Sequence, residues 1–352
     1  MGCILCKFYS EFCTKKADES CLVPEPKKEY SWDKKPKFDP KDFTIEGIID
    51  SEIVREPKTV NGRQMIVQNC KNSKIFVLDH CNSVIIDDCT DCQIILGPSS
   101  GSLFVRGSEN LCLIALCGQF RARDCRNLTA FLCCTSQPSI EACSKLDFGC
   151  ALIQYKQLQG QIEKSGLSIF NNQWNLIYDF TPIASDDPNW QIIPADKVTE
   201  LVQISEENAE RFELVIGEKS KSLVPCSLGS SDVENYAAEI CIVAITEFRN
   251  QESIFALEFI ASLNHEAHLR LTRTKEAKVS DEEMKKLNPN QKKLDASLVN
   301  LIVLQFTGSN CVTKCQEAKE KGSTKFGEEM KENVHIYDRP SGKQLITFMQ
   351  SS

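Results

Sequence analysis

Two groups of residues in this 352-residue chain have types and spacings that could do chemistry. The first is the start, Met1-Gly2-Cys3-Ile4-Leu5-Cys6-Lys7. Removal of Met1 exposes Gly2, the acceptor for N-myristoylation, although the usual motif has Ser or Thr where this chain has Cys6. Cys3 and Cys6 are adjacent candidates for S-palmitoylation. One myristoyl chain partitions into a bilayer with a constant of only about 10⁴ M⁻¹, so stable anchoring needs a second acyl group. Residues 1–41 carry nine lysines against seven acidic residues, a weak polybasic signal. The competing reading is a start without fixed structure whose cysteines are incidental.

The second group is the thiols. Of 19 cysteines, four lie in residues 1–21, eleven between Cys70 and Cys150, and four in the rest. The count is odd, the chain is long, and Lys7, Lys15 and Lys16 interrupt any secretory signal, so reduced intracellular thiols are expected. Cys89-Thr90-Asp91-Cys92 is a lone C-x-x-C without a second pair at zinc-ribbon spacing, and His80 stands alone among these cysteines. Neither a metal site nor redox chemistry is expected there. No Walker loop, G-x-S-x-G or H-E-x-x-H occurs, so no independent catalysis and no cofactor are expected.

The elements that position these residues repeat. Cys70, Cys89, Ser108, Cys125 and Cys143 are separated by 19, 19, 17 and 18 residues. A near-constant period of this size with short β-rich segments indicates a β-solenoid, in which stacking supplies the core that one coil cannot form. Three residues before each anchor stand Val67, Ile86, Val105, Ala122 and Ile140; five before stand Met65, Val84, Leu103, Phe120 and Pro138. Two before stand Gln68, Asp87, Arg106, Arg123 and Glu141. Side chains alternate faces along a strand, so the first two columns point inward and the third outward. The anchor thiols then sit at an inner corner, and Asn or Asp two residues beyond suits the turn.

The remaining outward column reads Ile66, Ile85, Phe104, Arg121, Ser139. Its apolar members require a cover, either another segment of the chain or a partner. Arg121, ending the apolar run, has the composition of a binding hot spot; the alternative is a solvated arginine at a coil edge. Globally, 41 basic residues against 49 acidic ones give a net charge of −8 without a basic block, so nucleic acid is not an expected partner. The length suggests two domains, and no apolar run approaches the ~18–20 residues that span a bilayer.

Around Cys117-Gly118-Gln119-Phe120-Arg121-Ala122-Arg123-Asp124-Cys125 the sequence resembles the tubulin-binding cofactor C family, whose signature is a Gln-x-Arg in one coil of a right-handed parallel β-helix. Further stretches narrow the resemblance to the retinitis pigmentosa 2 (XRP2) group of that family. They are Tyr30-Ser31-Trp32-Asp33, Asp39-Pro40-Lys41-Asp42, Ile85 to Gly97, Phe131-Leu132-Cys133-Cys134, Gly166-Leu167-Ser168-Ile169-Phe170-Asn171-Asn172 and Asp179-Phe180-Thr181-Pro182. The resemblance implies a GTPase activator whose partner is an Arf-like small GTPase in its GTP form, the partner carrying GTP and Mg. It maps the arginine finger onto Arg121, the supporting glutamine onto Gln119 and an acidic contact onto Glu141; Phe104 and Arg123 complete the expected GTPase-contact set. Arg123 and Glu141 stand side by side on successive coils, so a simple ion pair between them is the alternative. Relatives often carry a second Gln where this chain has Gly118. The resemblance further implies the cytoplasmic face of the plasma membrane, the cilium or basal body, and traffic of lipidated proteins. A lipid-anchored scaffold that binds the GTPase without activating it and a tubulin-folding cofactor are the alternatives.

Beyond residue 236 strands and helices alternate. Cys241–Ile245, His268–Thr272, Leu298–Phe306 and Val334–Tyr337 read as strands, and Gln251–Leu263 as a helix. Ser280-Asp281-Glu282-Glu283 reads as a capping box, and Asn310–Lys321 as a helix ended by Gly322. The pattern is that of a ferredoxin-like α/β layer, which the resemblance extends to a nucleoside diphosphate kinase-like domain. Asn333-Val334-His335 lacks that family's Asn-x-x-His spacing, so the domain is expected to be catalytically silent. The expected organisation is an acylated flexible N-terminus (1–27), a cofactor C-type β-helix domain (28–192), a connector (193–235) and the ferredoxin-like domain (236–352).

Overall fold

The 17–19-residue spacing is realised as stacked parallel coils. The computed structural model describes residues 39–183, 188–228, 239–266, 268–288 and 297–350. Gly2, Cys3, Cys6 and the Tyr30–Asp33 stretch lie outside them. Two parallel ladders run along the stack. One joins Thr44–Glu46, Met65–Gln68, Val84–Asp87, Ser99–Arg106, the C-terminal half of Glu109–Arg123, Ser139–Glu141 and Tyr178–Asp179. The other joins Glu52–Arg55, Lys74–Val77, Gln93–Leu96, the N-terminal half of Glu109–Arg123, Arg126–Cys134, Ser144–Cys150 and Trp190–Ile192. This is a parallel β-helix, as the repeat predicts.

Its interior is filled by the two inward columns. Met65, Val67, Val84, Ile86, Leu103, Val105, Phe120 and Ile140 are fully buried, and Ala122 is 2% exposed. Phe120 meets Phe148 of the opposite ladder edge-on at 5.9 Å between centroids, which closes the hollow of the coil.

The anchor column has a specific hydrogen-bonding role. The thiols of Cys70, Cys89, Cys125 and Cys143 each donate to the carbonyl two residues back, at 3.2–3.4 Å. Ser108 replaces cysteine in this column and does the same more strongly, donating to Arg106 O at 2.8 Å while accepting from Cys89 N. The residue before each anchor and the residue two after it both take positive φ. These are Asn69, Asp88, Gly107, Asp124 and Ala142, then Asn72, Asp91, Asn110, Asn127 and Lys145. Left-handed backbone is accessible to Asn, Asp and Gly, which is why these types recur there.

Residues 193–235, expected as a connector, fold onto the β-helix where they are described. The short helices Val198–Leu201 and Glu206–Phe212 lead to Val215–Ile216, which pairs with Ile153–Gln154. Val198, Val202, Phe212, Leu214 and Val224 join the β-helix core.

The C-terminal part is a four-stranded antiparallel sheet in the order Arg270–Ser280, Leu298–Thr307, Ile240–Thr246, Val334–Asp338. Helices Glu252–Leu263 and Cys311–Phe326 pack their apolar residues with Cys241, Val243 and Ile245 on one face. Met284, Leu345 and Met349, from helices Asp281–Leu287 and Lys343–Gln350, pack with Ile240, Ile242 and Ala244 on the other. The Ser280–Glu283 capping box forms as expected. Two expectations need correction. The strand expected at His268–Thr272 extends through Ser280, its charged residues being tolerated because it lies at the sheet edge. Gly322 does not end its helix, which continues to Phe326 and is capped by Gly327. A Cβ at Gly322 would stand 2.8 Å from Phe255 Cε2, so the glycine serves helix packing instead.

The segment 166–172 joins the two parts. Phe170 is 1% exposed within the C-terminal core, and its carbonyl accepts from Thr274 Oγ1 at 2.6 Å. Asn171 pairs with the backbone of Glu276 through both its amide nitrogen (2.9 Å) and oxygen (2.8 Å), and Ser168 bonds the Glu276 carboxylate.

Candidate functional site

The strand Glu109–Arg123 buries Phe120 and Ala122, so Gln119, Arg121 and Arg123 must face outward. The ladder register sets Arg121 between Phe104 on the preceding coil and Ser139 on the next, and Ser139 beside Tyr178 beyond it. The exposed Arg121 guanidinium lies 5.7 Å from the centroid of the Phe104 ring, a cation–π contact. Among the described residues no carboxylate pairs with it. Its neighbours differ. Arg106 makes two bonds to Asp87 at 2.7 and 2.8 Å, and Arg123 Nε lies 3.2 Å from Asp124 Oδ2.

The expected contact set is therefore gathered on one face of one ladder, with distinct states. Gln119 is tied back to the preceding coil, its Oε1 accepting from Ser102 Oγ at 2.9 Å. That leaves its amide N–H groups as the outward-facing donors. Glu141 is exposed and in register with Arg123, but Arg123 turns to Asp124 instead, and Glu141 has no ion-pair partner among the described residues. The alternative of a simple Arg123–Glu141 pair is not what forms.

Gly118 has a structural reason. It lies where the ladder register shifts between Ser99 and Ser102, and a Cβ there would stand 2.7 Å from Ser100 O and 3.1 Å from Gly101 O. Its own carbonyl accepts from Ser136 Oγ (2.8 Å) and Thr135 Oγ1 (3.2 Å). The backbone leading to Gln119 and Arg121 is thus clamped from both sides.

The sequence reading missed Tyr178 and Phe180. They are 50% and 62% exposed, meet edge-on at 4.7 Å, and extend the same face beyond Ser139 and Glu141. Asp179 shapes their loop, accepting from Thr181 N (2.9 Å) and Asn189 Nδ2 (2.8 Å). The alternation Tyr178-x-Phe180 was the available signal, but it falls outside the 17–19-residue period. Ile66, Ile85 and Phe104 of the apolar column are half-buried.

The thiols of the Cys89–Cys92 pair act as hydrogen-bond donors to backbone carbonyls. Cys89 and Cys92 are buried and donate to Asp87 O (3.4 Å) and Thr90 O (3.2 Å). Burial pushes the Cys89 thiol up to about 12, so its thiolate is scarce near neutrality.

Residues 62–180 match the family model for tubulin binding cofactor C. Human Protein XRP2 is 36% identical over 323 residues, covering 90% of this chain and 89% of its own length. Protein XRP2 of Xenopus laevis is 33% identical and covers 95% of each chain. Human Tubulin-specific chaperone C is 26% identical over 152 residues, 42% of this chain and 44% of its own. A solved structure, Tubulin Binding Cofactor C from Leishmania major, covers 35% of this chain and 84% of its own at 24% identity and a TM-score of 0.31. With near-full-length identity of this order, the chain belongs to the XRP2 family, whose β-helix is a tubulin binding cofactor C domain.

Proposed function

We propose that this protein is a GTPase-activating protein for an Arf-like small GTPase, with Arg121 entering the partner's nucleotide site as an arginine finger. The observation that carries the reading is the state of Arg121: exposed, without a carboxylate partner among the described residues, and steadied by the Phe104 ring on a rigid ladder. Hydrolysis spreads negative charge over the γ-phosphoryl and leaving oxygens. A guanidinium in a water-excluded site stabilises that charge and is worth about 10³–10⁵ in rate. Lysine lacks the planar fork of donors and is a poor substitute. Gln119 supplies outward amide donors beside the finger, Glu141 an exposed carboxylate for a basic group on the partner, and Phe104, Tyr178 and Phe180 an apolar rim. The catalysis takes place in the partner's active site, with the partner's GTP and Mg.

Myristate on Gly2 with palmitate on Cys3 or Cys6 would hold the chain at the cytoplasmic face of the plasma membrane, at or near the cilium or basal body. The activator then acts where lipidated cargo is released. Flotation with liposomes of acylated wild type and Gly2→Ala tests this: loss in the variant is expected, and equal membrane recovery would rule out N-terminal anchoring. We read the C-terminal four-stranded sheet and its helices as a ferredoxin-like, nucleoside diphosphate kinase-like layer that is catalytically silent.

A second reading, a scaffold that binds the GTP form without stimulating it, is favoured by Gly118, which presents no side chain beside the finger. Single-turnover hydrolysis at saturating protein separates the two: acceleration supports the activator, and tight binding at the intrinsic rate supports the scaffold. The similarity to human Tubulin-specific chaperone C covers 42% of the chain, and membrane anchoring would set this protein apart from a tubulin-folding role.

A further inference from the structure

Two cysteines from distant parts of the chain meet beside the joining segment 166–172. Cys150 ends the strand Ser144–Cys150 and is fully buried. Its sulfur lies 3.5 Å from Pro225 O, the carbonyl of the peptide that carries Cys226, and the two thiols hydrogen-bond to each other. Asn172 Nδ2, from the joining segment, donates to Cys150 Sγ at 3.7 Å. Cys226 belongs to a stretch that touches both parts of the molecule. Val224 packs in the β-helix core, Ser227 Oγ accepts from Trp174 Nε1 at 3.4 Å, and Leu228 N donates to Leu271 O of the edge strand Arg270–Ser280 at 2.9 Å.

Among the described cysteines, Cys112 and Cys226 are half-buried and the rest are buried. Burial pushes the Cys112 thiol up to about 12. Cys226 goes the other way. The hydrogen bond from Cys150 holds its thiol below the ordinary range against burial, with the charges of Lys219 and Arg270 assisting and that of Asp196 opposing. Cys150, the thiol that keeps its proton, moves well up. A partly exposed thiol favoured as thiolate and acted on by cations is the reactive state of cysteine, and a second thiol in contact is what resolves its oxidised form. The pairs Cys117–Cys134 and Cys125–Cys143 also hydrogen-bond thiol to thiol, but all four are buried.

We propose that Cys226 is an oxidation site for hydroperoxides and that Cys150 resolves it into a disulfide. The Cys226 thiolate attacks a peroxide oxygen, the O–O bond breaks, hydroxide leaves from hydrogen peroxide, and Cys226 becomes a sulfenic acid. The Cys150 sulfur then attacks the sulfenic sulfur, the S–O bond breaks, and the hydroxyl leaves with the Cys150 proton as water. The two thiols give up two electrons in all and the peroxide takes them. A dithiol reductant reverses the change by exchange. The new bond makes covalent the contact between the β-helix strand Ser144–Cys150 and the stretch whose Leu228 holds Leu271, so oxidation tightens the passage between the two parts. The inference does not depend on the GTPase-activator reading.

Peptide mapping by mass spectrometry tests this on the full-length protein, treated with hydrogen peroxide and then alkylated at its remaining thiols. A linked peptide pair containing Cys150 and Cys226 should form, vanish on addition of dithiothreitol, and be absent from Cys226→Ser. In Cys150→Ser, which lacks the resolving thiol, dimedone should capture a sulfenic acid at Cys226 about tenfold faster than at Cys112. Hydrogen exchange along Arg270–Ser280 should slow in oxidised wild type and stay unchanged in peroxide-treated Cys226→Ser. The linked pair in wild type needs no substitution, so it decides the matter even where a serine variant fails to fold. Cys150 and Cys226 both remaining open to alkylation at a peroxide dose that oxidises Cys112, or dimedone labelling at Cys226 no faster than at Cys112, would overturn the proposal.

Discussion

The guanidinium of Arg121 lies 5.7 Å from the centroid of the Phe104 ring one coil below it. This relationship holds a flexible cation over an apolar surface without neutralising it. Among the described residues, the nearby carboxylates that pair with arginines pair with others: Asp87 with Arg106, Asp124 with Arg123 and Glu109 with Arg126. The charge at Arg121 is thereby kept available while its side-chain entropy is reduced, which is what a group supplied in trans requires.

Phe104→Ala should leave the fold intact and lower the stimulated hydrolysis rate by about two- to fivefold, the equivalent of an exposed cation–π contact of about 0.5–1 kcal/mol. Single-turnover rates at saturating activator check this. An unchanged rate means that the ring does not position the finger.

Gly118→Gln should lower unfolding stability by about 1–3 kcal/mol, because its Cβ meets the Ser100 carbonyl at 2.7 Å and the strand must move. Urea denaturation measures it. Full stability in this variant would show that the register shift at Ser99–Ser102 yields without cost.

Phe170→Ala should cost about 3–5 kcal/mol, since a fully buried ring from the β-helix side is removed from the C-terminal core. Hydrogen exchange should rise along Arg270–Ser280, which Thr274 and Glu276 tie to the same segment. Protection equal to wild type on that strand would mean that the segment is not what holds the two parts together.

His335 should make stability fall with acid. Burial, and then the charge of Lys319, hold its imidazole below the ordinary 6.5. The unfolded chain therefore binds the proton more readily, so this contribution is present above about pH 6.5 and is lost as pH falls below it. The melting temperature of wild type should drop between pH 7 and pH 5 more steeply than that of His335→Gln. Parallel curves would remove His335 from the acid response.

The β-helix was legible because each coil solves the same packing problem. Val67, Ile86, Val105, Ala122 and Ile140 recur in register, and the anchor thiols mark the corners. The rule fades at the last coil, where Ala142 and Lys145 take the positive φ that Asn, Asp or Gly adopt elsewhere. Tyr178 and Phe180 were not legible as part of the face because they rejoin the ladder only after the excursion through helix Leu158–Ser165 and the joining segment 166–172. Gly322 was misread because a glycine near the end of a periodic run signals a stop, whereas here it admits the Phe255 ring. The unpaired state of Arg121 could not be read from composition. Three acidic residues, Asp87, Asp124 and Glu141, stand nearby in the columns, and only side-chain geometry shows that none reaches it.

The most direct test of the account is single-turnover GTP hydrolysis by an Arf-like GTPase with saturating wild-type protein, Arg121→Lys or Arg121→Ala. Wild type should accelerate hydrolysis by about 10³–10⁵, and both variants should fall to near the intrinsic rate while still binding the GTP form. Equal rates for wild type and Arg121→Ala would contradict the assignment of Arg121 as the finger.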